Sequence, residues 1–98
     1  MKDDGIYGTF MAVGKKPEKL WQTIQKNQQN VRFADFCRLV EWFGFKPKGG
    51  KGSHKTYCQA GIQEIIDIQA LNNEAKPYQI KQLIRLVRQY SLKGGTKP

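Results

Sequence analysis

Apolar residues recur at helical spacing in three stretches of this chain and alternate with polar ones in the segments between. From Phe33, the positions Phe36, Leu39, Val40 and Phe43 fall on one helical face, opposite Asp35, Arg38 and Glu41, and Gly44 can end the helix. Pro77 opens a second helix with Ile80, Leu83, Ile84, Val87 and Tyr90 along one face and a stop expected near Gly94 and Gly95. A shorter helix is predicted from Pro17, where Leu20, Trp21 and Ile24 share a side.

Residues 45–48 read as short and extended, and Pro47 suits an edge position because it removes a backbone donor. Residues 54–59 alternate as a strand does, with His54, Thr56 and Cys58 on one side and Lys55, Tyr57 and Gln59 on the other. Residues 63–69 contain Ile65, Ile66 and Ile68, whose branching at Cβ favours a strand, with Ile66 and Ile68 facing a core. A polar loop through Asn72, Asn73 and Glu74 follows. The order helix, three strands, helix predicts an α+β domain whose antiparallel three-stranded sheet carries both helices on one face and leaves the other open.

Domain organisation follows from the same pattern. Residues 1–30 form an N-terminal extension, weakly structured apart from the short helix; residues 31–93 form the domain; residues 94–98 form a flexible tail. At 98 residues the core is modest, which disfavours a large ligand cavity. Seventeen basic against eight acidic residues give a formal charge of +9, which favours RNA, DNA or an acidic protein partner over a small neutral metabolite. No apolar run approaches a bilayer span, and residues 1–16 lack a signal-peptide core, so a cytoplasmic location is the expectation. Cys37 and Cys58 stand far apart with no thiol or histidine at metal-ligand spacing, which makes them small core residues and predicts no metal site.

The chemistry concentrates in residues 49–58, which hold the only histidine. His54 can move protons near neutral pH, Lys51 and Lys55 can neutralise a phosphate, and the amides of Gly50, Gly52 and Ser53 can form an anion-binding turn. Ser53 more readily shapes that turn than attacks a substrate, and Tyr57, on the far side of the strand, reads as a stacking or core residue. On the last helix Lys81, Arg85 and Arg88 line one stripe, either tracking a nucleic-acid backbone or forming an ordinary solvated face. Lys76, beside that helix's N-terminus, is electrostatically unfavourable there and hints at a compensating anion.

Gly52-Ser53-His54 opens a strand after a helix that ends in Gly44-Phe45, and Lys76-Pro77-Tyr78 enters the last helix. With that arrangement, residues 31–92 resemble the HicA family of toxins, small ribonucleases of toxin–antitoxin systems. The resemblance implies a double-stranded-RNA-binding-domain-like α-β-β-β-α fold and metal-independent endonuclease activity on mRNA without a cofactor. It implies that His54 is the catalytic acid/base and that a HicB-type antitoxin is the partner. Residues 1–30 depart from the shortest members, and no function is carried onto them.

Two other readings stand beside this one. A noncatalytic RNA-binding module would use the basic surface to read A-form shape while His54 supports a loop. A protein whose charge serves only an acidic protein partner would have no RNA affinity. Double-stranded DNA is disfavoured, since no recognition-helix motif is evident. One histidine leaves open which group completes the acid–base chemistry.

Overall fold

Among the described residues, proline opens two of the three helices, and glycine or asparagine turns set the strand connections. The computed structural model describes residues 16–95, so most of the segment expected to be weakly structured lies outside the described residues. The elements are α1 (Pro17–Ile24), α2 (Phe33–Trp42), β1 (Lys46–Lys51), β2 (His54–Gln59), β3 (Ile62–Leu71), β4 (Glu74–Ala75) and α3 (Pro77–Gln89). The strands form one antiparallel sheet in the order β1-β2-β3-β4.

This corrects the expected α-β-β-β-α fold with a three-stranded sheet: the order is α-α-β-β-β-β-α and the sheet has four strands. The polar loop at Asn72 and Asn73 is a two-residue hairpin turn in which both asparagines take positive φ, +54° and +65°. Asparagine tolerates that region, so the chain reverses tightly and Glu74 pairs with Leu71. The short β4 is held from its outer side, where the Ala75 amide donates to the Val31 carbonyl at 2.8 Å and Arg32 bridges to Glu74. Those contacts come from the segment preceding α2, which local pattern does not reveal.

β1 also runs further than expected, through Gly49 and Gly50 to Lys51, with a register shift between Pro47 and Gly49. The turn into β2 is therefore only Gly52 and Ser53, with Gly52 at φ +56°. At the other end, α3 stops at Gln89 rather than near Gly94. Ser91 takes φ +52°, the Leu92 amide donates to the Val87 carbonyl at 2.9 Å, and Leu92 packs on the core while Tyr90 is 36 % exposed. Tyr90 thus leaves the apolar face on which helical spacing placed it.

The core lies between the helices and one sheet face. Tyr57, Ile66 and Ile68 from the sheet meet Phe36, Leu39 and Val40 of α2 and Ile80, Leu83 and Leu86 of α3, all fully buried. Burying one such aliphatic or aromatic side chain contributes about 1.5–3 kcal/mol. α1 joins the same core through Leu20 and Ile24, and Trp21 meets Phe43 edge-on with ring centroids 4.8 Å apart. The helix α1 is thus packed against the domain through one face. Gly95 donates its amide to the Trp42 carbonyl at 2.8 Å, which fixes the first residues of the expected tail against α2. No described element covers the other sheet face, which carries His54, Thr56, Asp67 and Gln69.

Candidate functional site

The position of His54 is set by backbone geometry in the β1–β2 hairpin. Gly50 has φ +109°, and a Cβ added there would lie 2.2 Å from the His54 carbonyl oxygen, so only glycine lets the two strands approach this closely. Gly52 occupies the first position of the two-residue turn, where its positive φ matches the right-handed strand twist. Lys51 pairs with His54 across this hairpin, and directly paired residues share a sheet face.

β3 supplies the partner of the imidazole. Asp67 lies directly opposite Thr56, and its Oδ1 is 2.8 Å from His54 Nε2 and accepts the Thr56 hydroxyl at 2.7 Å. The Thr56 hydroxyl first, and His54 second, hold the Asp67 carboxyl below its ordinary value of 3.8, against a small opposing effect of burial. Asp67 is therefore ionised at neutral pH, and since a carboxylate only accepts, it takes the bond from the Nε2 proton. That leaves Nδ1 of His54 as the lone-pair nitrogen of the neutral ring. The two side chains are 42 % and 61 % exposed, so their pairing orients the ring more than it stabilises the fold.

Sequence reading missed Asp67 because it is separated from His54 by thirteen positions and a bend in register. The alternation of β3 carried the signal. The turn at Ala60 and Gly61 pairs Gln59 with Ile62, and counting back from that pair places Asp67 opposite His54. A register shift between Tyr57 and Gln59 moves it opposite Thr56 instead, still within reach of the imidazole.

The other predicted site residues separate into two regions. Gly50, Lys51, Gly52, His54 and Lys55 border a single hollow of about 320 Å3 at the hairpin, and Ser53 sits in the turn beside it. Lys51 shares the face of His54, whereas Lys55, paired with Gly50 and Ile68, starts from the opposite face. Lys81, Arg85 and Arg88 do form one stripe, together with Gln25, Gln28 and Ile84 around a shallow groove of about 430 Å3. That groove belongs to the helical layer, on the far side of the sheet from His54. Arg85 is engaged there, its guanidinium donating to both Glu64 carboxylate oxygens at 3.2 and 2.6 Å, which holds Glu64 below its usual range.

Tyr57 is a core residue, fully buried, and its hydroxyl donates to Glu41 Oε2 at 2.8 Å. Burial first, then that bond to Glu41, pushes its phenol well above the ordinary value, so it stays protonated. Cys37 is buried, and burial pushes its thiol up; Cys58 is half-buried on the open face. Among the described residues no group of three or more His, Cys, Asp or Glu is arranged to hold a metal ion. No described helix is long and apolar enough to cross a membrane. Comparison of the chain with protein-family models, with curated proteins and with solved structures finds no match in any of the three.

Proposed function

We propose that this protein is a metal-independent endoribonuclease acting on mRNA in the cytoplasm, the toxin of a toxin–antitoxin pair of the HicA and HicB kind. The observation that carries the nuclease reading is the His54–Asp67 pair, set on an open sheet face with Lys51 beside it in a chain of net charge +9. The toxin role and the antitoxin partner rest on the resemblance of residues 31–92.

RNA brings its own nucleophile. His54 Nδ1 takes the 2′-hydroxyl proton, the 2′-oxygen bonds to phosphorus, and the bond from phosphorus to the 5′-oxygen breaks. That oxygen leaves with a proton returned by the imidazolium or by water, giving a 2′,3′-cyclic phosphate and a 5′-hydroxyl. Proton transfer by a positioned imidazole contributes about 100- to 10,000-fold in rate. Lys51, paired with His54, supplies a positive charge on the same face to neutralise charge growing on the phosphoryl oxygens.

Incubation of the purified protein with RNA in EDTA tests this. Cleavage products carrying cyclic phosphate ends are expected, with a loss of at least about 100-fold in His54→Ala at unchanged folding and RNA affinity. Retained cleavage in that variant would remove His54 from the mechanism. The exposure of the His54 side chain, 42 %, favours a second reading, a noncatalytic RNA-binding protein. That reading predicts intact RNA with salt-sensitive binding.

A further inference from the structure

The open face carries a row of side chains that runs from β1 across β2 and β3 to Lys76, the residue that follows β4. Lys51 pairs with His54, and His54 pairs with Gln69. Ala70 pairs with Ala75, so the next position outward, Lys76, continues the row beside Gln69, and Lys76 Nζ donates to Gln69 Oε1 at 3.4 Å. Adjacent strands lie about 4.8 Å apart, which places Lys51 about one spacing and Lys76 about two spacings from His54, on opposite sides. The carboxylates of this face stand outside the row. Asp67 is engaged by Thr56 and His54, and Glu74 lies opposite Leu71, with Arg32 across the bridge. Leu71, 61 % exposed, lies on the same face next to Gln69 and offers an apolar contact for a base.

We propose that Lys76 is an RNA-backbone subsite, and that a single RNA strand lies across the β-strands along Lys51, His54, Gln69 and Lys76. The reacting phosphate sits at His54 and a second phosphate is held by Lys76. Gln69 acts as the bracket, since its neutral amide oxygen steadies the ammonium without neutralising it. A phosphate oxygen replaces that long neutral contact with a charge-assisted one. The identity of the first phosphate as the reacting one rests on the ribonuclease reading; the binding role of Lys76 does not.

The experiment has a binding arm and a cleavage arm. In the His54→Ala background, a labelled six-nucleotide RNA is titrated at several salt concentrations with and without Lys76→Gln. The expected result is about five- to tenfold weaker binding at low salt and a salt slope smaller by about 0.7, with Lys76→Arg restoring both. With active protein, Lys76→Gln slows cleavage of the hexanucleotide but leaves a dinucleotide unchanged, because a single phosphate cannot occupy both places. Unaltered affinity and slope in Lys76→Gln overturn the proposal, as does an absence of RNA binding at low salt. Equal slowing on both substrates overturns it too, since Lys76 would then act at the reacting phosphate. A reduced slope in a protein that cleaves nothing supports the subsite and defeats the ribonuclease reading.

Discussion

His54 is the only imidazole in the chain, so its ring signals identify it without assignment by mutation. With Asp67 accepting from Nε2, the neutral ring holds its proton on that nitrogen, and nitrogen NMR shifts should report the Nε2–H tautomer. Asp67→Asn keeps the shape of the side chain but removes its charge. It is expected to weaken the tautomer preference, lower cleavage about tenfold and leave RNA affinity intact, the scale of one net hydrogen bond. An unchanged ring spectrum would show that Asp67 does not orient His54. Tyr57 answers to pH in the opposite direction from Asp67. Its folded phenol lies above the ordinary value of 10.0, so its contribution is complete below that value and is lost as pH rises through the alkaline range. Tyr57→Phe should cost about 1 kcal/mol at neutral pH and flatten the fall of Tm above pH 10, measured by thermal unfolding across pH.

The hairpin of β1 and β2 is where a backbone requirement fixes the position of His54. Gly50 at φ +109° lies against the His54 carbonyl, whereas Gly52 at φ +56° has open space around it. Gly50→Ala should therefore cost at least about 2 kcal/mol and abolish cleavage, while Gly52→Asn should cost no more than about 1 kcal/mol. Denaturant unfolding of the two variants separates a close approach from a simple turn preference. At this scale the sequence was legible where periodicity was strong. The spacing of Phe36, Leu39 and Val40 marked α2, and the alternation of β2 put His54 and Tyr57 on opposite faces. It was illegible at β4, two residues whose pairing depends on Val31 and Arg32 rather than on their own propensity.

At the scale of the described molecule, α1 and the domain share one interior. Leu20 and Ile24 are buried in the common core, and Trp21 packs against Phe43. A chain beginning at residue 31 should consequently lose several kcal/mol, at about 1.5–3 kcal/mol for each buried aliphatic side chain removed. A lower Tm and exposed apolar surface, read by dye binding, are expected; an unchanged Tm would show that α1 contributes nothing to the stability of residues 31–93. The layering also divides the basic residues. Lys51, Lys76 and Arg32 belong to the open face with His54, while Lys81, Arg85 and Arg88 lie on the helical side, with Arg85 committed to Glu64. An RNA strand laid on His54, as proposed, would meet the first group, and only a longer chain that wraps the molecule would reach the second.

Sequence alone was sufficient for the helices α2 and α3, for the inward isoleucines of β3, for the charge, and for His54 as the one group able to transfer protons near neutral pH. These are properties of local spacing and residue chemistry, and they survive without knowledge of what lies across the sheet. The fourth strand, the Asp67 carboxylate on the imidazole, the split between Lys51 and Lys55 and the row that ends at Lys76 were decided by tertiary structure. Each depends on strand register. A shift between Tyr57 and Gln59 changes which residue stands opposite which, and no propensity of the individual residues records that choice.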